Sequence, residues 1–385
     1  MEKSGRLMSL DALRGFDMLW IMGFASAVLA FCSLIGAKDC WLAGQMTHVA
    51  WHGFHHHDTI FPLFLFLAGV SWPFSCAGQV AKGRTTGWIV LRCLKRMALL
   101  ILLGLLVGRI QNFAFAQCRY DSILAHIGVC WCAAALCSLF VRSWKLRLAI
   151  VAALLAGHWL VLLSFRAPDA AALLASTDPE VAKKVASYAA FGTDNFSFVG
   201  NVAGWIDRAF MPGRLYEGIF DPDGLLAKVS GTALAMLGVL AGELLRRDLS
   251  GNRKALTLAA AGVAAVAMTL AWAPVCPVNK KIWTSTFVLA SAGYGCLMLA
   301  LFYWIIDVRG WRKWSFAFRV IGMNSITVYM LMRIFSFYSA SDFFLSGVAS
   351  LGNAAWSRFV LLMGQVALEW LVLWFLYRKN TFLRV

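Results

Sequence analysis

The chain has 385 residues, 61% of them hydrophobic and 14% charged, with a formal net charge of +16. A soluble domain carries about 25% charged and about 45–50% apolar residues, and here the apolar excess comes in long blocks, which excludes a soluble globular fold. The same basic excess would suggest nucleic-acid binding in a soluble protein, but its placement in short gaps between apolar blocks makes the lipid bilayer the expected partner, with no nucleic acid.

Blocks of about 18 or more apolar residues cross the roughly 30 Å hydrocarbon core as helices, because backbone groups in lipid find partners only within the segment. Such blocks occur at 13–36, 59–80, 93–113, 121–141, 146–165, 226–245, 254–274, 284–306, 315–336 and 354–377. They predict an all-α, polytopic integral membrane protein with about ten transmembrane helices. The first block starts about ten residues in and ends without a small-residue cleavage site, so no cleavable signal peptide is expected. Basic residues cluster at alternate gaps: Lys3, Arg6 and Arg14; Lys82, Arg84, Arg92, Lys95 and Arg96; Arg142, Lys145 and Arg147. The series continues with Arg246, Arg247, Arg253 and Lys254, then Arg309, Arg312, Lys313 and Arg319, and ends with Arg378, Lys379 and Arg384. The positive-inside rule makes these the cytoplasmic gaps. Both termini are then cytoplasmic and the number of spans is even. Four of the five outer connections are short. The fifth, at 166–225, is about 60 residues long, holds much of the acidic charge, and is aromatic at 195–212. Connections of that length have a function or structure of their own. No low-complexity tract, linker or internal repeat breaks the chain, which reads as a single domain over 1–385.

Ionisable groups at membrane depth mark functional sites by default. The densest constellation is HVAWHGFHHHDTIFP at 48–62, which puts five of the seven histidines within ten residues at the outer start of the second span. Imidazole titrates near pH 6.5 and accepts a proton when neutral. Asp58 is placed to hold one ring in a single tautomer, or to cap the helix start. Three readings compete here: an exposed polar loop, a metal site built on imidazole, and one histidine acting as general base or acyl carrier. No cysteine or second acidic cluster completes a metal site, so none is expected. Elsewhere Glu369, Arg333, His126 and His158 are embedded singly, and Asn324 is suited to hydrogen bonding between helices. The ten cysteines fall mostly inside spans, where they read as small apolar residues. Cys40, Cys118 and Cys276 lie near the outer face, where an oxidising compartment would permit pairing.

At these motifs the sequence resembles the heparan-α-glucosaminide N-acetyltransferase family, and most closely its bacterial members. The likeness runs in order through RLMSLDALRGFD at 6–17, the histidine segment at 48–62, NVAGWIDR at 201–208, Leu215 with Tyr216, and DPDG at 221–224. It closes with PVNKKIW at 277–283 and GMNS at 322–325. The resemblance implies an acetyltransferase that moves acetyl from cytoplasmic acetyl-CoA to the amine of a glucosamine-type sugar at the outer face. It implies a homodimer in a bacterial inner membrane. The catalytic histidine carries over to His48, which precedes the matching Trp51 and the segment from Asp58 to Pro62, with Asp58 as its orienting partner. Arg14, Arg119, Asn201, Asp207, Arg208, Asn279, Lys280, Lys281, Trp283 and Asn324 are expected to line the substrate and acetyl-CoA sites, the basic ones meeting phosphates. The sequence departs from the family twice: Ala25 and Ser26 stand near a functional asparagine of its lysosomal members, and His126 stands where an arginine is usual. A chain that starts at the first span, without the large luminal N-terminal region of the lysosomal members, is what the resemblance to bacterial members leads one to expect.

The rival reading is a sugar permease of the N-acetylglucosamine type. Transporters are often built from inverted repeats with helices broken near the midplane, and the sequence displays no such pair.

Overall fold

The computed structural model describes residues 7–383, so Lys3, Arg6 and Arg384 of the basic clusters lie outside the described part. Among the described residues the secondary structure is helical, with isolated bridges at Arg119–Gly213, Arg166–Asn201 and Leu215–Gly218 and no β-strand. The helices are α1 (Met8–Leu19), α2 (Ala25–Leu34), α3 (Trp41–Gln45), α4 (His56–Val80), α5 (Thr86–Val107), α6 (Ile123–Phe140) and α7 (Trp144–Ser164). Then come α8 (Ala170–Leu174), α9 (Pro179–Ser187), α10 (Val202–Phe210), α11 (Ala227–Arg246), α12 (Gly251–Trp272) and α13 (Ser285–Tyr303). The last are α14 (Phe316–Gly322), α15 (Ser325–Ile334), α16 (Phe337–Ala349) and α17 (Ala354–Arg378).

Eight of these segments are long and apolar enough to cross a membrane, among them Met8–Leu34, which joins α1 to α2, and Ser285–Val308, which extends α13. Two of the ten expected spans are not among the eight. The block read at 93–113 is α5, which starts seven residues earlier because the Thr85 side chain accepts the Trp88 N–H and caps it. Its first turns therefore carry Arg92, Lys95 and Arg96. The block read at 315–336 is broken at Met323 and Asn324 into α14 and α15. The connection expected after it holds a further helix, α16.

The core is formed by α4, α11 and α13, with α5, α6 and α7 on one flank and α1, α14 and α17 on the other. Within this core α4 and α11 approach closely. A Cβ at Gly69 would lie 2.2 Å from the carbonyl oxygen of Ala235, and one at Gly238 would lie 2.2 Å from that of Phe66. Small residues let two backbones touch in this way, and van der Waals contact replaces the hydrophobic drive that lipid does not supply. The carboxylate of Asp307 accepts hydrogen bonds from the N–H groups of Met8 (3.3 Å) and Ser9 (3.2 Å), capping α1. Near the other end of the chain, Asn324 Nδ2 donates to the carbonyl of Thr381 at 3.3 Å. Both ends of the described chain thus sit beside α14. Outward faces of α12 and α16 leave Leu256, Leu270, Phe343 and Phe344 about two-thirds or more exposed, as a lipid-facing surface requires.

The long connection at 166–225 is ordered by α8, α9 and α10 over an aromatic core of Trp51, Phe198, Phe220 and Phe196. Trp51 is fully buried there and donates from Nε1 to the Phe196 carbonyl at 2.8 Å. This lid of aromatic residues closes over the end of the bundle where α4 begins.

Candidate active site at the start of α4

Residues 46–55 form an irregular segment that turns into α4 at His55. Asp58 stands in the first turn of that helix and is fully buried. Its Oδ2 accepts from the His55 N–H at 3.1 Å and the Val49 N–H at 3.4 Å, tying down both the helix start and the segment before it. Its Oδ1 lies 2.7 Å from His48 Nδ1. The two readings of Asp58, cap and histidine partner, are therefore both realised, one on each oxygen. A neutral imidazole that donates from Nδ1 to a buried carboxylate presents Nε2 as its acceptor. The His48 side chain is 52% exposed, so this nitrogen can meet a substrate.

Lys280 completes the constellation. Its Nζ lies 3.0 Å from His48 Nδ1, 3.5 Å from His48 Nε2 and 3.5 Å from Asp58 Oδ1. Burial pushes the ammonium below its ordinary pKa, against the pull of Asp58. The turn carrying Lys280 is built by Asn279, whose N–H donates to Thr284 Oγ1 (2.9 Å) and whose Oδ1 accepts the Ile282 N–H (3.1 Å). Trp283 takes a left-handed φ of 48° in this turn. Its ring stacks on His126 at 4.5 Å and meets Phe61 edge-on at 5.1 Å. Lys281 points away from His48. It pairs with Glu217 at 2.9 Å and lies over the Tyr188 ring, anchoring the turn to the lid. Burial would raise the Glu217 carboxyl, yet hydrogen bonds from Lys184 and Lys281 hold it below its ordinary range.

The other histidines of the motif are drawn apart. His57 lies against His48 with ring centroids 4.5 Å apart. His55 Nδ1 meets the Thr47 carbonyl at 3.0 Å, and His56 Nδ1 meets the Tyr294 hydroxyl at 3.2 Å behind α4. His52 Nδ1 faces Asn279 Nδ2 at 3.4 Å, and burial lowers its pKa against the charge of Asp194. Among the described residues no group of three or more His, Cys, Asp or Glu side chains is placed to hold a metal ion.

Several expected lining residues belong instead to the polar frame of the lid. Arg119 grips Asp221 through Nε (2.9 Å) and Nη2 (2.6 Å), and reaches Asp223 at 2.7 Å. Burial opposes the charge, but these carboxylates hold the guanidinium above its ordinary pKa. Arg208 forms a two-pronged pair with Asp169 at 2.8 and 2.7 Å. Asn201 caps α10, accepting the Gly204 N–H at 2.7 Å, and is fully buried. Asp207 accepts the Leu225 N–H at 2.9 Å, and burial pushes its carboxyl up to about 7. These four residues direct their hydrogen bonds to the lid and its connections rather than to His48.

Arg14 lies on the other side of α4, bonded to Ser71 and the Leu67 carbonyl. It lines a cavity of about 290 Å³ with Arg96, Phe61, Phe64, Ser325 and Tyr329. Asn324 sits beside this cavity, at the break whose neighbours Met323 and Ser325 also line it. Phe61 is the link between cavity and candidate site: it lines the first, touches Trp283 and His126, and follows Asp58 by three residues. Sequence reading missed Arg96 and Phe61. Arg96 was absorbed into a topogenic cluster, although the unbroken apolar run directly after it signals membrane depth. Its guanidinium lies 4.0 Å over the Trp131 ring, and its buried Nε has no hydrogen-bond partner.

No family model matches the chain. It is 25% identical over 426 aligned residues to human heparan-alpha-glucosaminide N-acetyltransferase, covering 99% of this chain and 60% of that protein. It is 24% identical over 430 residues to the mouse protein of the same name, covering all of this chain and 61% of that protein. The chain spans about three-fifths of the length of the curated relatives it matches.

Proposed function

Since homology along its full length supports membership of the heparan-α-glucosaminide N-acetyltransferase family of transmembrane acetyltransferases, we propose that this chain transfers acetyl from acetyl-CoA to the amine of a glucosamine-type sugar. The observation that carries the reading is the 2.7 Å pairing of His48 with fully buried Asp58, beside Lys280.

In this reading Asp58 holds the proton on His48 Nδ1, so that Nε2, 3.5 Å from Lys280 Nζ, is the ring's acceptor. Nε2 takes the proton from the attacking amine as its nitrogen bonds to the thioester carbonyl carbon, a role worth about 10²–10⁴-fold in rate. The C–S bond then breaks, and CoA leaves as a thiol that takes the proton back from the His48 imidazolium. Lys280, as an ammonium beside the ring, sets a positive charge where negative charge develops on the carbonyl oxygen, and such preorganised charge is a large term in acyl transfer. An acetylated imidazole is the other form the same geometry allows. A stoichiometric acetyl-protein trapped without acceptor would distinguish it from direct transfer.

Acetyl-CoA carries phosphates that cannot enter hydrocarbon unpaired. Arg14 and Arg96 both line one largely apolar cavity, and two guanidinium groups gathered in one place suit a phosphate. At about 290 Å³ the cavity is at the lower end of ligand pockets, which begin near 300 Å³, so it suits one slender arm of the donor. The aromatic lid and the exposed edge of His48 would receive the sugar. The protein would work as a homodimer in a bacterial inner membrane, with acetyl-CoA supplied from the cytoplasm.

The test is transfer of radiolabelled acetyl from acetyl-CoA to glucosamine by purified protein, with His48→Ala alongside. Transfer by the wild type that vanishes in a folded variant supports the reading. Sugar uptake in proteoliposomes with no acetyl transfer to any amino sugar would replace it with the permease.

A further inference from the structure

We propose that Cys32 and Cys40 are a disulfide-forming pair that staples the segment leading into His48 to the end of α2, with an oxidised thiol compound or a disulfide exchange protein as oxidant. The pair was not apparent from the sequence, where Cys32 falls inside an apolar block and Cys40 was grouped with Cys118 and Cys276. The fold separates that group. Cys118 Sγ faces the carbonyls of Gly108 and Arg119, and Cys276 faces Thr286.

Cys32 and Cys40 are brought together by a tight reversal after α2. The Ala37 N–H donates to the Cys32 carbonyl at 2.8 Å, Gly36 takes a φ of 75°, and the Cys40 N–H donates to the Ala37 carbonyl at 3.2 Å. The sulfurs then lie 3.8 Å apart, in contact and unbonded. A disulfide needs about 2.05 Å, a closure within the reach of side chains already touching. Cys32 is buried and Cys40 partly exposed, so the pair has one accessible and one sheltered sulfur. The Ala43 N–H donates to Cys40 Sγ at 3.4 Å, and this bond holds the Cys40 thiol below its ordinary pKa. The accessible thiol is thus also the readier nucleophile.

The chemistry is two thiol–disulfide exchanges. The Cys40 thiolate attacks one sulfur of the oxidant disulfide, forming a mixed disulfide and releasing one thiol. Cys32 sulfur then attacks Cys40 Sγ, forming the internal bond and releasing the second thiol. Two cysteine thiols are oxidised, one external disulfide is reduced, and the two protons leave on the released thiols.

The staple bears on the candidate site through α3, which runs from Trp41 to Gln45. Gln45 Oε1 accepts the His56 N–H at 2.9 Å, and the Thr47 carbonyl meets His55 Nδ1 at 3.0 Å. Fixing Cys40 therefore fixes the strut against which the first turn of α4 and the His48 segment lean.

The experiment treats purified full-length protein in lipid nanodiscs with oxidised glutathione, caps free thiols with N-ethylmaleimide, and maps peptides by mass without reduction. Cys32→Ser, Cys40→Ser and the double variant run beside the wild type, and thermal unfolding is followed in oxidised and reduced samples. The expected result is a Cys32–Cys40 linked peptide that dithiothreitol abolishes, and a higher unfolding midpoint for oxidised than for reduced wild type. The double variant is expected to show no redox shift. Separate capping of Cys32 and Cys40, a glutathione adduct that persists on Cys40, or linkage of either to another cysteine would overturn the pair. A linked peptide with an unchanged midpoint would overturn the stapling role. None of these readouts depends on acetyl transfer, so failure of the proposed function would leave them interpretable.

Discussion

At the scale of single residues, His48 and Asp207 make two separate predictions. His48→Ala removes the half-exposed ring that meets buried Asp58 at 2.7 Å. Acetyl transfer is expected to fall by at least about 10²-fold, with the thermal midpoint little changed because the ring is half exposed. A variant with wild-type rates would sink the assignment. Asp207 concerns stability. Burial pushes its carboxyl up to about 7 from an ordinary 3.8. A raised folded pKa means that the folded chain binds the proton more tightly, so the stability gained is full below the unfolded pKa and is lost as pH rises toward 7. The wild-type unfolding midpoint should therefore decline between about pH 4 and pH 7. Asp207→Asn, which keeps the oxygen facing the Leu225 N–H, should decline less steeply. Some slope remains, since burial also pushes Asp223 up to about 6. Equal slopes in both proteins would contradict the assignment.

At the scale of elements, the contact of α4 with α11 is tightly constrained. Glycine at 238 lets the chain pass within touching distance of the Phe66 carbonyl, where a Cβ would stand 2.2 Å away from backbone that cannot yield. Gly238→Ala on α11 should cost about 1–3 kcal/mol, read as a lower midpoint in thermal unfolding, while Gly78→Ala on α4 meets open space and should not lower it. Element existence was well legible in the sequence: eight of the ten apolar blocks are helices long and apolar enough to span. Boundaries failed where a cap overrode hydropathy, as at Thr85, and where one polar residue interrupted a run, as at Asn324.

At the scale of the molecule, the proposed reaction needs two openings, one toward His48 and one toward the Arg14 and Arg96 cavity on the other side of α4. Arg96→Ala is expected to raise the KM for acetyl-CoA by about tenfold or more, since hydrogen bonds to charged groups contribute about 1.5–3 kcal/mol. Its kcat at saturating donor should fall far less. A fall confined to kcat would move the phosphate contact elsewhere. The same division by place sorts the expected site residues: Asp58 and Lys280 gather at His48, Asn279 and Trp283 build the turn behind them, and Arg119, Asn201, Asp207 and Arg208 frame the lid.

The amino-acid sequence by itself determined the solvent this protein lives in, its helical class, the histidine motif and the order of the segments that carry the family resemblance. Those features rest on local rules: runs of apolar residues, alternation of charge, and spacing along one chain. The family resemblance pointed to His48 among five neighbouring histidines, but only the tertiary structure decided that it meets Asp58 at 2.7 Å and that Lys280, 232 residues away, stands beside it. It also decided that Arg96 shares a cavity with Arg14 and that Cys32 is the neighbour of Cys40. These pairings depend on how helices cross and how loops return, through long-range packing and backbone turns whose partners are not written in any one segment.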